Sequence, residues 1–331
     1  MRIDRPSKTL WIDGSGMASL AACETAFVMR HVYHYAPLAE AVPLALGNVY
    51  HSMVASHFDG RSPSQSMTCL STEWDALVEP LRNADNFPKR ALKANVERVA
   101  RGWIDSNPLE GWSLDFSHGH TEIEFDVPLC SHAGWTIRYY GRADWIGPSA
   151  DDPETWWIVE TKTTSIPDEW WIKRYYRMAQ LNGYRFALAS SLPGGARVGG
   201  VLLNVIHAGE APASPRKCAR HGMPYEKCGG FGPPDGHMRH SHTSIPITAE
   251  RQSAWLELAK ATAKQALRFV LDRPRAWNGS KGLARTLVNG TMTDRCTICD
   301  FDPWCMGGAG RSRSTIKPML VKRDWQPFQV V

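Results

Sequence analysis

The sequence predicts an α/β fold in which helices flank a mixed central sheet. Apolar side chains recur at helical spacing through much of residues 17–105. Segments rich in β-branched and aromatic side chains then follow one another between residues 121 and 162, as expected for successive strands. A helical pattern over 168–190 leads into an apolar run at 196–209, which indicates a strand returning to the same sheet.

The first third of the chain is expected to form a helical N-terminal region, residues 1–110. Helical periodicity predicts one helix over 17–35 and another over 87–105. Between them, a further helical run begins after Gly47 and carries His51.

The predicted sheet lies in a central domain that spans residues 111–280. Three strands are predicted from TEIEFDVPL, WTIRYYGRADWIG and WWIVETK, and a fourth from ARVGGVLLNVIHAG. Residues 208–243 interrupt this pattern with Pro, Gly, His and Cys, so we interpret them as an insertion. A long amphipathic helix at 249–271 then leads to a C-terminal module at 281–331.

Composition and charge narrow the class of protein. With 43% apolar and 21% charged residues, the chain is neither a fibre nor a disordered polymer. It has no apolar run long enough to span a bilayer and no apolar segment behind its first positive charges, so we expect a soluble, cytoplasmic protein. The C-terminal module holds eight Lys or Arg and four Asp, against a net charge of +5 for the chain, which is compatible with a polyanionic partner.

Acidic and basic side chains end two neighbouring predicted strands. Asp144 ends the second strand, and Glu160 and Lys162 end the third on one face, because side chains alternate along a strand. Two carboxylates favour a hard cation such as Mg²⁺ or Mn²⁺, and the lysine can hold or help deprotonate an attacking water. This chemistry hydrolyses phosphodiesters; the alternative is a surface ion pair. Glu122 and Glu124 are further acidic candidates, although strand glutamates commonly face solvent.

This arrangement resembles the PD-(D/E)XK nuclease superfamily and, within it, the RecB-like branch that includes the CRISPR-associated iron-sulfur exonucleases. His51, in LGNVYH, matches the early helical histidine of the branch. Gln180 and Tyr184, in QLNGY, match its Gln-x-x-x-Tyr motif, whose side chains orient the nucleic-acid strand and the lysine. Ala143 replaces the proline of the superfamily motif, a departure frequent in this branch.

The resemblance covers about residues 15–310, without the insertion, and implies a restriction-endonuclease-like fold. It implies that His51, Asp144 and Glu160 hold Mg²⁺ or Mn²⁺ and that Lys162 positions the hydrolytic water. The implied activity is that of a deoxyribonuclease, an exonuclease acting on single-stranded DNA ends. It also suggests a prokaryotic or phage protein working in DNA repair or recombination.

Eight cysteines in a chain without a secretion signal favour metal binding over disulfides. Cys296, Cys299 and Cys305 form a C-x₂-C-x₅-C group, and Cys23 is a fourth candidate ligand. Spacing alone leaves both an iron-sulfur cluster and a zinc ion open. The resemblance implies a structural [4Fe-4S] cluster that joins the chain ends. In the alternative, the CxxC is a zinc knuckle and Cys23 a core thiol.

The insertion offers a second set of soft and imidazole ligands. Zinc bound there would staple a segment that lacks its own core, and a flexible His-rich loop is an equally open interpretation. The candidate ligands are Cys218, His221, Cys228 and one of His237, His240 or His242.

Aromatic and basic residues outside these motifs are candidates for nucleic-acid contacts. Bases can stack on exposed tryptophans, and Arg and Lys bind phosphates, although core filling and solvated basic faces are the common roles of such residues. The candidates are Trp170, Trp171, Arg174, Arg177, Arg311, Arg313 and Lys317.

A second class of function is a non-catalytic DNA-binding or complex-assembly protein that keeps this fold, with zinc in place of the cluster. The complete set of His, Asp, Glu and Lys argues against it, since a retired site has no physical reason to retain mutually dependent charges.

Overall fold

The computed structural model describes residues 1–37, 42–83, 87–106, 112–165, 175, 179–189, 192, 196–209, 241–271 and 320–322. Of His242 only the backbone is described. Several predicted features lie outside these residues: the first part of the helix over 168–190, Trp170, Trp171, Arg174, Arg177, Cys218, His221, Cys228, His237, His240, Cys296, Cys299, Cys305, Arg311, Arg313 and Lys317.

The described residues form helices and strands in mixed order. The α-helices are α1 (Gly14–Ala22), α2 (Glu24–Phe27), α3 (Val42–Phe58), α4 (Pro63–Leu77), α5 (Lys93–Ser106), α6 (Ala179–Ala189) and α7 (Ala249–Leu271). The strands are β1 (Arg2–Asp4), β2 (Thr9–Ile12), β3 (Tyr35–Pro37), β4 (His120–His132), β5 (Trp135–Pro148), β6 (Thr155–Thr164), β7 (Arg197–His207), β8 (Ser241–Ile245) and β9 (Leu320–Lys322). Val28–Val32 is π-helical, and Glu79–Leu81, Lys89–Ala91 and Phe116–His118 are 3₁₀ turns.

The chain divides into two compact units. The first contains Met1–Ala39, Glu124–Gly141 and Thr248–Val330. The second contains Glu40–Ile123 and Arg142–Ile247. Strands β4 and β5 contribute residues to both units.

In the first unit, β1 pairs antiparallel with β2, which runs parallel to the first part of β5. The helix predicted over 17–35 is interrupted at Cys23, whose φ of −165° and ψ of 117° are extended. The prediction of one continuous helix was therefore wrong. Helix α2 begins at Glu24 with an acidic side chain in its first turn, which a helix N-terminus favours.

The second unit contains a mixed sheet. The last residues of β5 pair antiparallel with β6, β6 runs parallel to β7 along its length, and β7 pairs antiparallel with β8. Helix α3 packs against β6, and both α5 and α6 pack against β7. The predicted mixed α/β sheet flanked by helices is confirmed.

A helical layer covers one face of this sheet. Val49 and Met53 of α3 and Trp103 of α5 are buried in one apolar cluster with Leu202 and Ile206 of β7. Removing a large apolar side chain from water contributes roughly 1.5–3 kcal/mol, so this cluster fixes α3 and α5 on the strands. Within the described ranges, no helix is both long and apolar enough to cross a membrane.

Candidate active site

The second unit brings together four of the predicted site residues. Asp144 precedes the paired end of β5, and its Oδ2 accepts a hydrogen bond of 2.7 Å from the backbone N–H of Thr161. His51 of α3 places Nδ1 3.5 Å from the same oxygen. On β6, the Nζ of Lys162 donates to Oε1 of Glu160. Side chains from one helix and two adjacent strands therefore meet here.

A buried hydrogen-bond relay supports the position of Asp144. The indole Nε1 of Trp103 donates to Oδ1 of Asn204 over 3.1 Å. The Nδ2 of Asn204 donates to the hydroxyl of Thr161, also over 3.1 Å, and Thr161 then donates its backbone N–H to Asp144. Asn204 and Thr161 are fully buried. Sequence reasoning missed this relay, although an asparagine inside the apolar run VLLNVI was a readable signal.

Glu160 is the most unusual group of the site. Its side chain is only 1% exposed, and its Oε2 has no hydrogen-bond partner among the residues that the structure describes. Burial, followed by the neighbouring charge of Asp144, raises the pKa of Glu160 to about 7. A buried carboxylate oxygen without a donor is costly, so a cation or a proton is needed to stabilise it.

The neighbouring charges act on one another. Burial favours the neutral forms of Asp144, His51 and Lys162, but the opposite charges beside them outweigh it. His51 and Lys162, with the N–H of Thr161, hold the pKa of Asp144 below its usual range. Asp144 raises the pKa of His51, and Glu160 and Asp144 raise the pKa of Lys162. Lys162 is therefore an ammonium at neutral pH and donates hydrogen bonds.

Gln180 and Tyr184 lie one turn apart on α6, as their spacing predicts. The Nε2 of Gln180 donates to the hydroxyl of Tyr184. The ring of Tyr184 is buried, whereas Gln180 is half-buried. The structure thus joins the two residues of this motif in one hydrogen-bonded pair.

Glu122 lies beside the site. Its carboxylate forms an ion pair with Arg142, with 2.5 Å between Oε2 and Nε. Burial raises the pKa of Glu122; Arg142 and His51 oppose that shift, whereas the charge of Asp144 adds to it. Glu124 belongs to the first unit.

The donor set fits a hard divalent cation. Asp144 and Glu160 offer carboxylate oxygens, of which Glu160 Oε2 accepts no hydrogen bond from the residues that the structure describes, and His51 offers an imidazole nitrogen. No three His, Cys, Asp or Glu side chains in the described part of the chain are already gathered as a metal site. The existing contacts to Thr161 and Lys162 hold the two carboxylates while leaving Glu160 Oε2 for a ligand.

Cys23 is the one candidate cluster ligand within the described residues. Its thiol is free and half-buried, and it lies at the break between α1 and α2. The extended backbone there separates Cys23 from the regular side-chain pattern of either helix.

Comparisons with known proteins identify the family. The model of the PD-(D/E)XK nuclease superfamily matches residues 15–306. The search of curated proteins finds no match. Among solved structures, the crystal structure of SSO0001 shares 13% identity over 76% of this chain and 87% of that chain, with a TM-score of 0.29, which supports no structural inference. Members of the superfamily are generally metal-dependent nucleases that usually use Mg²⁺ or Mn²⁺. Because the matched segment spans most of the chain, this protein belongs to the PD-(D/E)XK nuclease superfamily.

Proposed function

We propose that the protein is a Mg²⁺- or Mn²⁺-dependent deoxyribonuclease that degrades single-stranded DNA from its ends. The observation that carries the proposal is the buried carboxylate of Glu160, which has one oxygen held by Lys162 and the other without a hydrogen-bond donor among the described residues. In a chain of this superfamily, such a group beside Asp144 has a direct use as a metal ligand.

His51, Asp144 and Glu160 are the residues that would hold the cation. When bound, the cation supplies a Lewis acid that lowers the pKa of water and neutralises charge on the phosphorus oxygens. The hydrogen bond from the backbone of Thr161 keeps the Asp144 carboxylate oriented. The imidazole of His51 would serve as a neutral nitrogen ligand when a cation, rather than the protonated imidazole, balances the charge of Asp144.

Lys162 acts as a hydrogen-bond donor. Because its pKa is raised, it keeps its proton at neutral pH and is a poor base. It therefore positions the attacking water and stabilises negative charge on the phosphate, while its contact with Glu160 fixes its place. The sequence left open whether this lysine holds the water or helps to deprotonate it, and the charge environment supports the first role.

Gln180 and Tyr184 complete the proposed machinery as orienting residues. Their mutual hydrogen bond and the burial of the tyrosine ring limit the rotamers that either side chain can adopt. A pair fixed in this way can orient a substrate strand without losing much side-chain entropy on binding.

The preference for DNA, for single strands and for chain ends follows from the resemblance to the RecB-like branch. Membership of the superfamily by itself implies a nucleic-acid substrate. A panel of end-labelled and internally labelled single-stranded DNA, duplex DNA and RNA separates these alternatives, since an exonuclease releases mononucleotides or short oligonucleotides from one end.

The experiment that tests the function is cleavage of this panel in Mg²⁺, Mn²⁺ or EDTA. We expect metal-dependent digestion by the parent protein and none in EDTA. Lys162→Ala removes the water-positioning ammonium and should slow digestion at least about 100-fold. Lys93→Ala is the matched control, because the Lys93 ammonium also pairs with a carboxylate, that of Asp75, on the surface of α4 and α5. Digestion by Lys162→Ala at the parental rate would refute the assignment.

We also propose that Cys23 and the trio Cys296, Cys299 and Cys305 hold a structural [4Fe-4S] cluster. The resemblance to the iron-sulfur members of the RecB-like branch supports it, and Cys23 lies at the break between α1 and α2. Four thiolates suit such a cluster, and joining distant parts of the chain stabilises the fold without electron transfer.

Anaerobic purification tests the cluster. Broad absorption at about 400 nm and iron in the protein would support it. A colourless protein that contains zinc instead would refute it and would favour the zinc alternative.

A further inference from the structure

Arg142 lies two residues before Asp144 on β5. Side chains at positions i and i+2 of a strand project from the same face, so Arg142 lies on the same face of β5 as Asp144. Its side chain is 35% exposed, which leaves the guanidinium partly accessible to solvent and to ligands.

Glu122 holds this arginine. The Nε of Arg142 lies 2.5 Å from Oε2 of Glu122, and the Glu122 side chain is itself two-thirds buried. The backbone of Glu122 has φ of +52°, in the left-handed region that a residue with a side chain rarely adopts. Such strain costs on the order of 1–3 kcal/mol and persists where the surroundings fix it, commonly at functional sites. The chain is therefore strained at the residue that orients Arg142.

The ion pair uses only part of the guanidinium. Arg142 forms no other ion pair with the described residues, so its terminal amino groups keep their donors. Arginine presents five N–H donors in a planar fork that fits two phosphate oxygens at once. By contrast, Arg197, at the start of β7, forms an ion pair with Asp152. Its side chain is 68% exposed, as expected for a surface ion pair.

The charges around the site are also compatible with a phosphate contact at Arg142. Glu122 lies within electrostatic range of Asp144 and His51, so its pair with Arg142 belongs to the same field. A nucleic-acid strand brings one negative charge per phosphate into a site that already holds three carboxylates. The ammonium of Lys162 already pairs with Glu160 and is assigned to the attacking water, whereas the terminal amino groups of Arg142 pair with no other residue that the structure describes.

We propose that Arg142, held by Glu122, binds a backbone phosphate of the nucleic-acid substrate next to the scissile bond. The inference rests on the proposed function of the same site and adds a substrate-binding residue outside the metal-ligand set.

Binding of a fluorescein-labelled (dT)₂₀ oligonucleotide tests the proposal. Fluorescence anisotropy is measured over a salt series with Lys162→Ala protein, in which cleavage is blocked. Adding Arg142→Ala should weaken binding about tenfold, and the slope of log K against log salt should fall by about 0.7, the value for one lost contact to a single strand. Arg142→Lys, which keeps the charge but loses the fork, should give an intermediate affinity. Arg197→Ala should leave affinity and slope unchanged.

A double variant separates binding from folding. Arg142→Ala leaves the partly buried Glu122 carboxylate unpaired, whereas Arg142→Ala with Glu122→Gln removes both charges. The loss of affinity and of salt slope should persist in the double variant. If Arg142→Ala or the double variant binds with the same affinity and salt slope as the Lys162→Ala protein, the proposal is overturned.

Cleavage by the parent protein distinguishes this inference from the proposed function. If the parent digests DNA but Arg142 variants bind normally, the role of Arg142 is wrong and the nuclease assignment stands. If the parent digests nothing in any metal but Arg142 variants lose binding, the nuclease assignment fails and the phosphate contact stands.

Discussion

The raised pKa of Glu160 predicts that the metal-free protein loses stability as pH increases. The pKa of this carboxyl is about 7 in the folded protein and 4.5 ordinarily. Between these two values the folded state keeps a proton that the unfolded state has released. The stabilisation is therefore complete below pH 4.5 and is lost as pH rises through 7.

The size of the effect follows from the shift. Moving from 4.5 to about 7 is 2.5 pH units, which at 1.36 kcal/mol per unit gives about 3 kcal/mol. Because Glu160 is only 1% exposed, solvent screening reduces this little. His51 acts in the same direction, since its pKa is also raised. The pKa of Asp144 is lowered, so the stabilisation that this carboxylate contributes is lost only as pH falls into a more acidic range. A loss of about 3 kcal/mol is large against a typical total of about 5–15 kcal/mol.

Urea unfolding in EDTA at pH 5, 6, 7 and 8 measures this dependence. Glu160→Gln cannot titrate, so the parent should lose about 3 kcal/mol more than this variant between pH 5 and 8. Glu154→Gln, at an exposed glutamate before β6, is the control and should follow the parent. Mn²⁺ added at pH 8 should restore stability to the parent and not to Glu160→Gln. Parallel pH profiles for the parent and Glu160→Gln would refute the reasoning.

Further predictions concern the relay, the lysine and the cluster. Asn204→Leu leaves the indole N–H of Trp103 and the hydroxyl of Thr161 without their hydrogen bonds to Asn204. Urea unfolding should therefore show a loss of about 2–4 kcal/mol in the free energy of unfolding, and a loss under about 1 kcal/mol contradicts the relay. Lys162→Ala should slow single-turnover cleavage about 10²- to 10³-fold or more while Mn²⁺ affinity, measured by calorimetry, is kept within a few-fold; an unchanged rate contradicts its role. Cys23→Ser should lose absorption at about 400 nm and melt at a lower temperature, and an unchanged spectrum excludes this thiol as a ligand.

The strands of the second unit could be predicted because burial imposes a clear pattern on them. WWIVETK and ARVGGVLLNVIHAG are apolar runs with branched side chains, and both form strands of the sheet. Helix α4 was missed, although Ser62, Pro63 and Gln65 form a capping box with proline at the first helical turn, a signal that sequence alone carries. Strands β1 and β2 are too short for periodicity to detect.

The candidate site was predicted in part for the same reason. Glu160 and Lys162 share a face because of strand alternation, which is local. The relay from Trp103 through Asn204 joins residues 101 positions apart, so it required the packed helix and sheet. The position of Glu122 depends on a left-handed backbone angle that strand propensity argues against, so a solvent-facing side chain was the natural expectation.

Binding of Mn²⁺ at the carboxylates tests the central claim most directly. Calorimetric titration of the parent protein at pH 8 should show Mn²⁺ binding that is weakened at least about tenfold in Glu160→Gln and unchanged in Glu154→Gln, and the parent should cleave DNA only when this site is filled. Equal Mn²⁺ affinity in the parent and Glu160→Gln, or cleavage that continues in EDTA, would contradict a metal-dependent nuclease site at Glu160.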